Sequence, residues 1–289
     1  MRDPMSLARR DEPMARHTTF RFGGPADYFV EPRNADELAL ALDTCREQRL
    51  ETFPLGMGSN LLVRDAGVRG AVIYLGGLEP GRMTREGRKV VASAGVKLPK
   101  LLRFACDQGL AGLEALIGIP GTVGGAVVMN AGGRYGTIGE FVTCVHALDR
   151  SGAAVRIGGA EAGFGNRTSN LGPYLVTAVE LELPPGEPPV LAARAQAILA
   201  EKKKSQPLSA KSAGCVFKNP PGQSAGRLID EAGLKGHAVG GAMVSRKHAN
   251  FIVNRGDARA ADVLELIGLI RERVRSRFQI ALELEVKVW

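Results

Sequence analysis

A chain of 289 residues is long enough to bury a sizeable core and to form roughly two domains. Its 45% apolar and 24% charged residues are ordinary for a soluble globular protein, and no run of about 18 apolar residues marks a membrane span. The net charge of +8 is spread along the sequence, with Lys202, Lys203 and Lys204 as its one run of three. Aromatics are only 5%, so a polyanionic small substrate accounts for the charge better than a nucleic acid does.

The N-terminal stretch MRDPMSLARRDEPMARHTTF is charged and has no apolar core, so it is not a secretory signal and a cytoplasmic protein is expected. The cysteines, Cys45, Cys106, Cys144 and Cys215, are widely separated and form no C-x-x-C pair. The histidines, His17, His146, His237 and His248, form no H-x-x-x-H pair. Reduced thiols and no metal site are the expectation.

In chain order, FRFGGPADYFV (20–30) reads as a turn followed by a strand, and ADELALALDTCREQRL (35–50) has helical apolar spacing. Short strands follow at 61–63 and 71–75. The middle of the chain reads as a strand at 89–92, a helix, a glycine-rich loop, and a strand at 142–149 closed by the turn Arg150-Ser151-Gly152. LPPGEPP (183–189) is a connector before the helix LAARAQAILAEKKK. SAGCVFKNPPG (212–222) is a polar loop, 224–232 a short helix, and 251–253 a strand. Residues 261–278 place Val263, Leu266, Ile267, Ile270 and Val274 on one helical stripe. In 280–289, Ile280, Leu282, Leu284, Val286 and Val288 alternate with Glu283, Glu285 and Lys287, which predicts a strand. The resulting division is 1–80, 81–198 and 199–289.

Two loops carry ligand-binding character. PLGMGSNLLV holds Gly56, Gly58, Ser59 and Asn60, and GLEALIGIPGTVGGAVVMN holds Gly118, Gly121, Gly124 and Gly125. Glycine allows positive φ and close backbone approach, and successive N–H groups can cradle an anion. A tight turn between buried strands is the plainer reading of either loop. Neither loop is a Walker A or a G-x-G-x-x-G fingerprint, and two such loops suit a long ligand with two phosphates.

Taken together, TTFRFGGPADYFVEP, the two glycine loops, SAGCVFKNP, GRLIDEAGLKGHAVGGAMVSRKHANFIVN and LELEV resemble the UDP-N-acetylenolpyruvoylglucosamine reductases, in order and over about nine tenths of the chain. The short connection after Gly133 looks like the compact branch of that family. The resemblance implies an α+β chain: a two-subdomain FAD-binding fold of the vanillyl-alcohol-oxidase type and a C-terminal α/β substrate-binding domain. It implies a monomer that uses non-covalent FAD and NADPH to reduce the enolpyruvyl ether of a UDP-sugar to UDP-N-acetylmuramate, in peptidoglycan precursor synthesis, with no nucleic-acid or membrane partner. By resemblance, FAD meets Gly56, Gly58, Ser59, Asn60, Gly118, Ile119, Pro120, Gly121, Thr122, Gly124, Gly125, Ala126 and Asn130.

The same resemblance assigns the chemistry to Arg167 in FGNRTSNL, Cys215 in the S-A-G loop and Glu285 on the last strand, with Glu283 as its competitor. Hydride passes from the flavin to C3 of the substrate and Cys215 supplies the proton to C2. Lys218, Asn219 and Arg227 are the substrate-binding candidates, with Arg227 and His248 also readable as structural residues. Asn166 stands where the family commonly has Tyr, and Cys215 where Ser is common. An unperturbed thiol titrates at about 8.5, so a thiol donor carries its own alkaline limit. The alternatives are another FAD-linked oxidoreductase on the same fold and a non-catalytic nucleotide-binding protein.

Overall fold

Apolar spacing and capping explain the helices. In the computed structural model, which describes Met5 and residues 8–289, they are α1 (Ala35–Glu47), α2 (Leu98–Asp107), α3 (Val123–Val128), α4 (Pro188–Ser205), α5 (Ala225–Glu231) and α6 (Ala260–Phe278). Asn34 caps α1 by accepting the Glu37 N–H at 2.9 Å, and Ser224 caps α5 by accepting from Arg227. The N–H groups of Ala260 and Ala261 at the start of α6 donate to the two oxygens of the Asp65 carboxylate at 2.9 and 3.0 Å. That pairing satisfies first-turn donors and places negative charge at the positive helix end. The connector before α4 ends earlier than the sequence suggests. Pro188 and Pro189 are the first helical residues, where a missing N–H costs nothing.

The chain divides into two compact units, and its content is mixed helix and sheet: an α+β fold. Unit 1 comprises 28–57 and 70–201 with the described residues before Asp11. Unit 2 comprises 11–27, 58–69 and 202–289. Within unit 1 an antiparallel five-stranded sheet runs in the order Ala154–Gly158, Val142–Leu148, Leu175–Glu182, Lys89–Ser93, Met83–Glu86. Residues of α2 and α3 pack with this sheet in one apolar cluster that includes Leu101, Val123, Val127, Val145 and Val179. A second cluster in the same unit joins α1 residues Leu38, Ala41 and Leu42 to Ala71 and Ile73, on the parallel pairing of Thr52–Leu55 with Ala71–Tyr74. Leu148 and Leu175 of the five-stranded sheet also belong to this second cluster.

Unit 2 is built on α6. Its predicted stripe is fully sequestered, with Val263, Leu266, Ile267, Ile270 and Val274 all at most 4% exposed. Phe20, Phe22 and Leu62 join the same core. The segments 11–27 and 58–69 thus share a compact unit with the C-terminal part of the chain. Asn254 ties one of them down by donating to the Phe20 carbonyl at 2.8 Å.

The C-terminal segment departs from the expected ten-residue strand. Only Lys287–Val288 forms a strand, paired in parallel with Leu61–Leu62. The alternation in burial holds, with Leu282 and Val286 buried and Glu283 exposed. The hydrogen bonds, however, pass from one partner segment to another. Lys218 N–H donates to the Glu283 carbonyl and Glu285 N–H to the Val216 carbonyl, while Lys287 N–H and Trp289 N–H donate to Asn60 and Leu62. A segment that changes partners midway keeps the pleat but not a continuous ladder.

Candidate functional site

In unit 2 the loop bearing Cys215 is held from two sides. On one side Cys215 bridges Phe251 in antiparallel fashion, and the Val216 N–H donates to the Asn250 carbonyl at 2.8 Å. On the other side the Val216 carbonyl accepts the Glu285 N–H at 2.8 Å, and Phe217 bridges Leu284. The loop therefore lies between the segment 249–251 and the segment carrying Glu285. The backbone of Glu285 is gripped at both ends, since its carbonyl also accepts from Asn60 Nδ2 at 3.1 Å. Asn60, expected on the cofactor, has this second and visible task.

The two carboxylates of LELEV have different surroundings. Glu283 has a 72% exposed side chain and pairs with the Lys218 ammonium, whereas Glu285 is half-buried beside the Cys215 loop. Lys218, a substrate-binding candidate, is thus engaged with Glu283. Asn219 accepts the Ala225 N–H at 3.0 Å through Oδ1 and so ties the loop to the start of α5. Arg227 lies exposed on α5 and pairs with Glu231 one turn on, an arrangement of a solvated helix face.

Spacing alone assigns no role to Asn250 in the phrase KHANFIVN. This side chain is 2% exposed and makes two hydrogen bonds to the backbone of Phe217. Its own N–H donates to His248 Nδ1 at 3.3 Å, so that nitrogen carries no proton. Burial first, and then the nearby Lys235 charge, hold the His248 imidazole below its ordinary value near 6.5. Its ring also meets Phe251 edge-on. His248 is therefore a neutral packing and acceptor group behind the Cys215 loop.

In unit 1 the glycine-rich stretch ends in α3, whose start is capped when Thr122 Oγ1 accepts the Gly125 N–H. Gly118 and Gly121 have φ of +82° and +140°, conformations that disfavour any side chain. The Val123 and Gly124 N–H groups turn inward to the Val96 and Ala94 carbonyls. Among the described residues, the N–H groups of Gly121 and Thr122 donate to no group of the chain, which fits a cradle for an anionic cofactor. A Cβ on Gly56 would lie 2.7 Å from Thr122 Oγ1, so the two glycine loops meet here. Gly124 has another reason to lack a side chain: a Cβ there would lie 2.8 Å from the Ala94 Cβ. The loop 56–60 crosses the division between the units, with Gly56 in unit 1 and Gly58, Ser59 and Asn60 in unit 2.

Arg167 sits in a tight turn closed by Gly165 and Thr168, has a left-handed φ of +57°, and donates from Nη2 to the Gly132 carbonyl at 2.6 Å. Asn130, expected to touch FAD, holds that turn. Its Nδ2 donates to the Gly165 carbonyl at 2.9 Å and its Oδ1 accepts the Gly139 N–H at 3.0 Å. Asn166 is exposed beside Arg167.

Comparison with known proteins fits this arrangement. Residues 26–158 match an FAD-binding domain, and 206–289 match the C-terminal domain of UDP-N-acetylenolpyruvoylglucosamine reductase. The UDP-N-acetylenolpyruvoylglucosamine reductase of Moorella thermoacetica is 50% identical over 280 residues, spanning 96% of this chain and 92% of that protein. That of Heliobacterium modesticaldum is 47% identical over 282 residues, spanning 96% and 90%. The crystal structure of the UDP-N-acetylenolpyruvylglucosamine reductase from Thermus caldophilus superposes with a TM-score of 0.84 at 43% identity, covering 98% of this chain and 99% of that one. Among the described residues, no helix is long and apolar enough to cross a membrane.

Proposed function

Because the chain belongs to the UDP-N-acetylenolpyruvoylglucosamine reductase family, a family of FAD-dependent oxidoreductases, we propose that it reduces the enolpyruvyl ether of UDP-N-acetylenolpyruvoylglucosamine to the lactyl ether of UDP-N-acetylmuramate, with NADPH as the electron source, as a step in making peptidoglycan precursors. The observation that carries this reading is the pairing of Glu285 N–H with the Val216 carbonyl, which brings the carboxylate residue alongside the Cys215 loop in the segment 206–289 that matches the reductase C-terminal domain.

FAD, when bound, supplies the hydride for C3 of the substrate. The turn at Gly121 and Thr122, with Gly56 against it, is the part of unit 1 that suits its phosphates. Hydride addition at C3 leaves negative charge at C2 beside a carboxylate, and such charge needs positive charge or hydrogen-bond donors already in place. Arg167 is assigned to that charge. The proton that completes the reduction comes from the Cys215 Sγ and is delivered to C2. Glu285 is the third residue assigned to the reaction, and its backbone is held at both ends by Val216 and Asn60. Hydride and proton together account for the two electrons and two hydrogens added across the double bond.

The test is direct. The purified protein should be yellow, NADPH should bleach its flavin anaerobically, and the enolpyruvyl substrate should restore the colour with one lactyl product formed per flavin. Flavin that NADPH reduces but the enolpyruvyl substrate fails to reoxidise would favour the second reading, a different substrate on the same FAD fold. That reading is motivated by Asn166, where the family commonly has Tyr.

A further inference from the structure

The five-stranded sheet of unit 1 carries a group of side chains that the reduction does not use. Cys144 and His146 are two apart on the strand Val142–Leu148 and so share one face. Glu180, on the adjacent strand, is the register partner of Cys144. The result is a thiol, an imidazole and a carboxylate whose ligand atoms all lie within 4.8 Å of one another. Glu180 is only 8% exposed, while Cys144 and His146 are half-buried. We propose that Cys144, His146 and Glu180 form a binding site for a borderline-soft divalent cation of the zinc type, with water as the fourth ligand.

The donor set selects the metal. A thiolate and an imidazole with one carboxylate suit zinc and disfavour magnesium or calcium, which require oxygen ligands. Tetrahedral zinc, with bonds of about 2.3 Å to sulfur and about 2.0–2.2 Å to nitrogen and oxygen, sets its ligand atoms roughly 3.3–3.8 Å apart. Closing the present spread to that range takes side-chain rotations, because the strand register already fixes the three Cβ positions. Binding replaces the 2.7 Å contact between His146 Nε2 and Glu180 Oε1 with two bonds to the metal, and the Cys144 thiol releases its proton to solvent.

Two cations now stand at the site. Lys89 pairs with Glu180 Oε2, and Arg156 reaches Glu180 Oε1 at 3.5 Å and also interacts with Cys144. Their side chains are 43% and 70% exposed, so each can swing into water as the metal takes the carboxylate. Local spacing does not reveal the site, because its third ligand comes from another strand, 34 residues beyond His146.

The experiment titrates the FAD-loaded protein with Zn²⁺ in equilibrium dialysis and records zinc-edge X-ray absorption. One zinc should bind per chain, with one sulfur at about 2.3 Å and nitrogen or oxygen at about 2.0–2.2 Å. Cys144→Ser and His146→Ala should each weaken binding at least about tenfold, the usual scale for a lost metal contact or support. Lys89→Ala should tighten it by removing a competitor for Glu180. Cys215→Ala should leave the zinc and its sulfur in place. Absence of stoichiometric binding, a zinc shell without sulfur, or a sulfur that survives Cys144→Ser and disappears in Cys215→Ala would each overturn the site. The cluster would then be an ion-paired ladder on the sheet and nothing more.

Discussion

Asn250 clamps Phe217 by both of its side-chain amide groups: the Phe217 N–H donates to Asn250 Oδ1 at 2.9 Å, and Asn250 Nδ2 donates to the Phe217 carbonyl at 2.8 Å. Both bonds are buried and lie two residues from Cys215. Asn250→Ala leaves a buried N–H and a buried carbonyl without partners, at about 1–3 kcal/mol each if water does not replace the lost amide. Asn250 should therefore act as a positioning residue. NADPH-driven flavin reduction should change little in Asn250→Ala, while reoxidation by the enolpyruvyl substrate should slow by at least about tenfold, one decade per 1.4 kcal/mol of barrier. Equal slowing of both half-reactions, measured by stopped flow, would assign Asn250 to general stability instead.

His248 supplies a pH test of the same region. Its imidazole is held below the ordinary value near 6.5 by burial and then by Lys235, so the unfolded chain takes up this proton more readily than the folded one. The stability it contributes is complete above about pH 6.5 and declines as pH falls through that value. Protonation of Nδ1 would also remove the acceptor used by the Asn250 N–H. His248→Gln should flatten the fall in melting temperature between about pH 7 and pH 5 relative to the parent. Identical slopes in the two proteins would place the acid sensitivity elsewhere.

Cys215 is the proton donor in the proposed reaction, so its loss should act after flavin reduction. Cys215→Ala should lower substrate turnover by about 10²–10⁴, the span for a general acid, and Cys215→Ser should restore much of it. The parent should lose activity at alkaline pH, where a thiolate has no proton to give, and the serine variant should keep its rate there. An alanine variant that turns over like the parent would return Cys215 to the role of a packing residue.

The choice between the two C-terminal glutamates has a ranked outcome. Glu285→Gln should slow the substrate half-reaction and spare reduction by NADPH. Glu283→Gln removes an exposed pairing with Lys218, and pairs of that kind contribute about 0–1 kcal/mol. Its effect should be small on both half-reactions. The reverse order in single-turnover kinetics would transfer the role to Glu283.

Gly124 tests the cofactor loop. A Cβ at this position would lie 2.8 Å from the Ala94 Cβ, so even Gly124→Ala must push α3 away from its backbone partner. A cost of about 1–3 kcal/mol is expected from such overpacking, with weaker flavin retention because the capped turn at Thr122 moves with the helix. Gly125→Ala, whose Cβ would lie 3.4 Å from Thr122 Oγ1, should be the milder change. Flavin release under dilution and thermal melting separate the two.

What the sequence determined by itself was local. The stripe of α6 was legible because helical periodicity depends only on spacing, and all five of its residues are buried in the unit 2 core. Gly118 and Gly121 were legible as loop residues because positive φ favours the one residue without a Cβ. The phrase around Cys215 was legible as a motif. Tertiary structure decided what depends on distant partners. Residues 280–286 alternate like a strand, yet their hydrogen bonds are divided between the Cys215 loop and Asn60. The amides of Asn60 and Asn130, read as cofactor contacts, also secure Glu285 and the Arg167 turn. Asn250 meets Phe217 across 33 residues, and Glu180 meets Cys144 only through strand register. Periodicity and φ preference act within a few residues, whereas the partner of a buried amide or carboxylate is selected by which segments the fold brings together.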